Sequence, residues 1–295
     1  MNEVDAGLRL DVFLARRVDG WSRRKANDAI AAGAVRVNGR RSRKGLALSS
    51  GDLVAFEESR YDLQANPELR LRILFEDDSL IAVDKPPGIP SVALRPDETQ
   101  TVANFLLAVD QSLRAVGGSL EAGLVHRLDT GTSGVVLAAR TAPAYEDLRR
   151  QFQDRTVLKE YVAVVEGDVA RSGTRKSRLV HGGKHGHKMR EVQTDERGAQ
   201  LAITTYEPLE RFGSETLLAL RIETGLMHQI RAHMAALGHP VVGDALYGSR
   251  VEAPRPLLHA AKLAFSHPLR AGRVEIESGL PVDLVEHLKA MRLQG

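Results

Sequence analysis

The chain has 295 residues, 43% of them hydrophobic, with 41 Lys and Arg against 38 Asp and Glu and no cysteine. That length can bury a core and implies one large domain, alone or with a small companion. The missing cysteines exclude disulfides, thiolate nucleophiles and cysteine zinc sites, and they agree with a reducing compartment. No apolar run reaches the ~20 residues of a membrane helix, and the acidic opening MNEVDAGLRLDVF lacks the basic start of a signal peptide. A soluble, cytoplasmic, monomeric protein is expected. The net charge of +3 is small, but the charges cluster: ten Lys or Arg lie between Arg16 and Lys44 against Asp19 and Asp28, and seven between Arg171 and Arg190 with no acid. Two such stretches favour a polyanionic partner over two merely solvated faces.

In chain order, Leu10, Phe13 and Leu14 have helical spacing. Ser22 can cap a second helix with Ala26, Ala29 and Ile30 on one face and Gly33 at its end. Val35 to Val37 alternates into Asn38-Gly39, a hairpin signal. Arg23, Arg24, Lys25, Arg36, Arg40, Arg41, Arg43 and Lys44 surround this unit and are its candidate polyanion-binding residues. Residues 1–60 form a small α/β domain; 61–70, within SRYDLQANPELR, read as a linker because they lack an apolar period and contain Pro67.

A larger domain over 71–295 opens with ILFEDDSLIAVDKPPGIPS, which reads as strand, acidic turn, strand and a rigid proline exit. Pro143 can open a helix carrying Tyr145, Leu148 and Phe152. Leu158 to Val165 reads as a strand with Lys159, Tyr161 and Ala163 on one face and Glu160, Val162 and Val164 on the other. Residues 203–223 alternate like strands up to Thr224-Gly225. After Gly225, Met227, Ile230, Met234 and Leu237 form a helical stripe that leaves His228 and Arg231 on another face, with Gly238 and Pro240 as the stop. Pro281 opens a last helix with Leu284, Val285, Leu288 and Met291. Strands and helices intersperse without a βαβ repeat, so an α+β fold on a mixed, mainly antiparallel sheet is expected.

Between two apolar runs, LVHRLDTGTSGVVLAAR places His126, Arg127 and Asp129. The Asp-Thr-Gly looks like the catalytic turn of an aspartic protease, which needs two carboxylates about 3 Å apart sharing one proton. The chain has no second Asp-Thr-Gly or Asp-Ser-Gly, and Arg127 would favour two ionised carboxylates over a shared proton, so that reading fails. Ordinary turn chemistry also suits these residues. Charges inside an apolar segment, however, must be paired or open to a cleft, and both point to chemistry. His181, His185 and His187 in HGGKHGH invite a metal, but the segment is basic and glycine-rich without a carboxylate pattern, so a basic loop is expected and no metal. The glycine clusters lack a nucleotide-binding fingerprint. No cofactor is expected.

FEDDSLIAVDKPPGI, HRLDTGTSG, RTVLKEYVAVVEG, HQIRAH with LGHPVVGDALYG, and LHAAKLAFSHP occur in this order over about 71–268. Together they resemble the RluA-type pseudouridine synthases, which isomerise uridine in ribosomal or transfer RNA. RLDVFLA, SRRKANDAIAAGAVRVNG and GDLV, over about 8–56, resemble the small RNA-binding domain first described in a ribosomal small-subunit protein. The combination resembles members that act on large-subunit ribosomal RNA. The resemblance implies that Asp129 is the catalytic aspartate, that Arg127 enters the RNA helix where the uridine leaves it, that Tyr161 lies against the uracil and that Arg231 pairs with Asp129. His126, His228 and Gln229, within the same motifs, are expected at the substrate. One departure stands out: the family usually has Arg and then Thr or Ser where this chain has Leu226 and Met227, which puts a contact to RNA phosphate or a neighbouring strand in question.

Pseudouridine formation breaks the N1–C1′ bond, turns the uracil and joins C5 to C1′, with no redox step or metal. An ionised carboxylate can attack C1′ or take a proton from C2′ to give a glycal; the sequence leaves both routes open. Two other classes remain: a non-catalytic RNA-binding or ribosome assembly factor that keeps the fold, and a glycoside-type hydrolase using Asp129 with a second carboxylate.

Overall fold

The computed structural model describes all residues except 1–6, 19, 20, 22, 32, 57–62, 95, 96, 119, 183–187, 194, 195 and 295, and the side chains of 24, 25, 28 and 294. Ser22, His185, His187 and the side chains of Arg24 and Lys25 therefore lie outside the described residues. Two compact units divide the chain: Met1–Glu68 with Val92–Ala122, and Leu69–Ser91 with Gly123–Gly295.

In the first unit, α1 (Leu10–Arg17) and α2 (Arg23–Ala31) bury Leu10, Leu14, Ala26, Ala29 and Ile30 with Trp21, Val35 and Leu48. Asp11 holds the two helices: it is buried, and Arg9 and Arg23 each donate to it, at 2.9 and 3.0 Å. Burial alone would raise its pKa, but these hydrogen bonds bring it down to about 2. β1 (Val35–Val37) turns through Asn38 (φ 53°) and Gly39 (φ 75°) into β2 (Arg40–Arg41), the two left-handed residues of a tight hairpin. β3 (Val54–Phe56) pairs with the other edge of β1, giving the order β2-β1-β3. α3 (Val102–Val109) starts from a Thr101–Asn104 capping box. The side chain of Asn104 donates to Gln64 O (2.6 Å) and that of Asn66 to Thr99 O (2.8 Å), while Leu63 is buried. Within 61–70, which lack an apolar period and contain Pro67, Leu63 and Asn66 are thus tied to the segment that begins α3.

The second unit is a ten-stranded sheet: β4 (Arg72–Glu76), β5 (Leu80–Lys85), β6 (Ser133–Ala139), β7 (Leu158–Glu166), β8 (Gly173–Gly182), β9 (Lys188–Val192), β10 (Gln200–Arg211), β11 (Glu215–Ile222), β12 (Leu258–Ser266) and β13 (Arg273–Glu277). The order is β4-β5-β6-β12-β7-β11-β10-β8-β9, with β13 also on β12. Only β6 and β12 pair in parallel, so the sheet is mixed and mainly antiparallel, as expected. β7 alternates as its sequence does: Ala163 and Val165 join Leu218, Ile230 and Met234 in one core, while Val164 joins Val242, Leu284 and Leu288 in another. Each buried Val, Leu, Ile or Met among them contributes roughly 1.5–3 kcal/mol. α4 (Ala142–Gln153) carries Pro143 in its first turn, and α6 (Val282–Gln294) follows Pro281. Among the described residues, no helix is long and apolar enough to cross a membrane.

α5 (Gln229–Ala236) corrects the helical stripe read from the sequence. Ile230 and Met234 are buried, but Met227 precedes the helix because His228 takes a left-handed conformation, φ 51°. Leu226 and Met227 pack partly buried against Met189, Ala202 and Tyr247. The basic stretch after Arg171 is largely β8, where Thr174, Lys176 and Arg178 are exposed on alternate positions.

Candidate active site

Asp129 sits on the turn that leads into β6, and buried polar groups fix that turn from every side. Ser91 Oγ donates to Leu128 O and accepts from Leu128 N–H, both at 3.0 Å. Gly88 N–H donates to Thr130 O at 2.8 Å. Lys85, fully buried at the end of β5, donates to the carbonyls of Pro86 (3.0 Å), Ile89 (2.7 Å) and Thr130 (3.1 Å). Three acceptors match the three N–H bonds of an ammonium. Burial first, then the Arg255 guanidinium, pull its pKa down to about 7 against the opposite pull of Asp129. Arg255 reaches Gly131 O (3.1 Å) while its other nitrogens hold Asp283 at 2.6 and 2.9 Å. Gly134, in TSG, has φ +116°, and a Cβ there would lie 2.1 Å from Ala260 O. The parallel approach of β12 therefore requires glycine.

The Asp129 carboxylate meets one guanidinium that it shares. Arg231 donates through Nη1 to Asp129 Oδ2 at 3.2 Å, and through Nε and Nη2 to Asp244 at 2.6 and 2.9 Å. Asp244 is sealed, its side chain 1% exposed, whereas Asp129 is 26% exposed; only Asp129 keeps a face open to a ligand. Gly243 brings Asp244 into place: a Cβ there would lie 2.1 Å from Arg255 O. The Tyr247 ring lies 5.1 Å from the Arg231 guanidinium. Its hydroxyl accepts from Met189 N–H (2.8 Å), which leaves the hydroxyl proton for His228 Nδ1 at 3.2 Å. Burial lowers the pKa of His228, with the Asp129 charge opposing. Its Nε2 stands 3.6 Å from Asp129 Oδ2. A non-glycine residue with φ 51° costs about 1–3 kcal/mol, and here that conformation aims an imidazole at Asp129.

Arg127, Asp129, Tyr161, Leu226, His228 and Arg231 all line a cleft of about 70 Å³. Burial, then the Asp129 charge, push the Tyr161 phenol far above its ordinary pKa, so it supplies a ring wall and not a base. Two residues expected at the substrate make their polar contacts within the protein, although Gln229 lines the cleft and His126 the depression beside it. Gln229 is buried, and its carboxamide donates to Ile203 O (2.9 Å) and Thr204 Oγ1 (3.1 Å) while accepting from Thr224 and Leu226. It shapes the loop before α5. His126 stacks on Phe152, 5.0 Å between centroids, and its Nε2 accepts from Leu137 N–H at 3.0 Å. Burial and the Lys159 charge take its pKa down to about 3. Arg127 is exposed at the rim. Of the proposed polyanion-binding residues, Arg36, Arg40, Arg41, Arg43 and Lys44 are exposed, while Arg23 is tied to Asp11.

Sequence reasoning missed Asp244, Lys85, Ser91, Arg255 and Tyr247. Lys85 had a signal as a charge closing an apolar strand, and Asp244 and Tyr247 lay within GDALYG. Ser91 and Arg255 had none.

The fold and site define an enzyme: a single open carboxylate, backed by a buried guanidinium, on a mainly antiparallel sheet preceded by a basic domain. Comparison with known proteins agrees. Residues 79–236 match the RNA pseudouridylate synthase family and residues 8–54 the S4 domain. An uncharacterized RNA pseudouridine synthase of Mycobacterium bovis is 40% identical, over 98% of this chain and 96% of its own. A ribosomal large subunit pseudouridine synthase D of Xylella fastidiosa is 35% identical, over 97% and 90%. The structure of human RNA pseudouridylate synthase domain containing 4 superposes with TM-score 0.60 at 24% identity, over 75% of this chain and 93% of that one. The chain belongs to the RNA pseudouridine synthase family, with an N-terminal RNA-binding S4 domain, and it isomerises uridine in RNA.

Proposed function

We propose that Asp129 is the catalytic carboxylate and that the substrate is large-subunit ribosomal RNA. One observation carries the first part: Asp129 is the open carboxylate of a pair that shares Arg231, in a cleft walled by Tyr161. The uracil ring stacks along Tyr161, and Asp129 reaches C1′ or the C2′ proton from below, with Arg231 balancing its charge. His228 Nε2 stands near the same oxygen, at 3.6 Å. Because the phenol of Tyr161 is held protonated, the C5 proton leaves by another acceptor. A base in duplex RNA must leave the stack, which costs a few kcal/mol. Arg127, exposed at the rim, fills the gap with a planar guanidinium that stacks and hydrogen-bonds.

The names of several relatives, including those of Xylella fastidiosa and Neisseria meningitidis, support the ribosomal target. The S4 domain with its exposed arginines supplies phosphate-directed affinity. The test is carbodiimide mapping of pseudouridine in ribosomal RNA from cells with and without the protein. Loss of one or more large-subunit positions is expected. Intact large-subunit pseudouridines with losses in transfer RNA would overturn the target, and free uracil with an abasic site would mark a hydrolase.

A further inference from the structure

Beside the Asp129 cleft lies a second, larger depression of about 660 Å³, which shares Arg127, Tyr161, Gly225 and Leu226 with it. Its volume is that of a small-molecule site. Arg127, Arg149, Arg155 and Lys159 line it with the stacked His126 and Phe152, and no carboxylate among the described residues does. Lys159 is spent on the carbonyls of Glu223 and Thr224, at 2.9 and 3.4 Å, and Arg149 is aimed by one N–H to Val125 O at 3.0 Å. Burial first, then the neighbouring Arg155 charge, lower the Lys159 pKa to about 8 against the opposite pull of Glu223.

The backbone at Arg155 sharpens the point. α4 ends in a Schellman turn: Thr156 N–H donates to Gln151 O at 3.0 Å and Arg155 N–H to Phe152 O at 3.3 Å. The left-handed position of that turn usually belongs to glycine. Here Arg155 occupies it with φ 60°, a strained backbone for an arginine.

We propose that this groove binds the RNA strand next to the target uridine, with Arg149 and Arg155 on a backbone phosphate and the flanking ribose and base over the His126–Phe152 edge. This rests on the RNA-modifying reading above, and it adds a subsite that the cleft alone does not contain. A phosphodiester brings negative charge to a lining that carries arginines and no carboxylate among the described residues, and the shared wall at Tyr161 and Gly225 makes groove and cleft one continuous path for a strand.

The test is filter binding of large-subunit ribosomal RNA, purified from cells lacking the protein, to the full chain in an Asp129→Asn background, across a salt series. Arg149→Gln with Arg155→Gln should weaken binding roughly tenfold and reduce the slope of log affinity against log salt by about 0.7 for each phosphate no longer neutralised. Arg155→Lys should restore most of the slope. Arg155→Gly should raise the melting temperature by relieving the left-handed strain, yet weaken RNA binding, a split that a purely structural role would not produce. Unchanged affinity and slope in the double variant would overturn the groove, as would an equal loss from Arg273→Gln outside it. Failure of the parent protein to bind the RNA would instead sink the reading on which the groove rests.

Discussion

The Asp129 turn and the basic sheet of the S4 domain treat charge in opposite ways. Around Asp129, charges are spent on one another: Arg231 on two aspartates, Arg255 on Asp283 and three carbonyls, Lys85 on three more. On the hairpin, Arg36, Arg40, Arg41 and Arg43 are exposed. A buried, mutually satisfied network fixes geometry and is costly to break at any member. Exposed cations contribute affinity that salt screens and that is shared among many residues. On the reading proposed above, chemistry is built the first way and RNA retention the second.

The contrast is tested most sharply at Arg231. Its replacement by Ala removes the charge between Asp129 and Asp244 and should lower turnover about 10²–10³-fold, the range for loss of one preorganised donor. Unchanged turnover would show that the shared guanidinium is irrelevant to the reaction. Asp244→Ala leaves Arg231 buried with half its partners gone; urea unfolding should show a loss of about 3–5 kcal/mol, the cost of breaking a buried pair. A change below about 1 kcal/mol would place that pair with surface salt bridges. In the S4 domain, combined Arg36→Gln, Arg40→Gln and Arg43→Gln should leave the melting temperature near that of the parent and flatten the salt dependence of RNA binding by up to about 0.9 for each phosphate these arginines neutralise. An unaltered slope would remove the hairpin from the RNA interface.

The smallest effect concerns His126. Its folded pKa, about 3, lies below the ordinary 6.5, so the native ring stays neutral while the unfolded chain takes up a proton. Its contribution to stability is present above pH 6.5 and is lost as pH falls towards 3. Between pH 7 and 5 the parent should therefore lose more melting temperature than His126→Gln. Parallel curves would contradict the assignment.

Much of the frame was legible in sequence because its signals are local. Leu10, Leu14, Ala26 and Ile30 repeat at helical spacing, Asn38-Gly39 demands left-handed backbone, and β7 alternates. Asp129 was legible through its motif, and Arg231 through its motif together with the helical spacing that sets it apart from Ile230 and Met234. Gln229 lines the cleft as its motif implies, but a motif does not show that its amide is spent on Ile203 and Thr204. Met227 was misplaced because helical spacing does not reveal that His228 takes a left-handed turn. Ser91 and Arg255 act from distant chain positions through backbone carbonyls, which leave no side-chain pattern. The hydrogen bond from Asn66 to Thr99 O was not legible, because an apolar period and a proline do not report a contact 33 residues away.

Everything proposed for the reaction depends on Asp129 as the one reactive carboxylate. The direct test is release of tritium from C5-labelled uridine in ribosomal RNA of cells lacking the protein, comparing the parent with Asp129→Asn. The substitution keeps size and an acceptor oxygen for Arg231 but removes the anion. Release by the parent and none above background by the variant is the predicted result; release by Asp129→Asn at a rate near the parent's would contradict it.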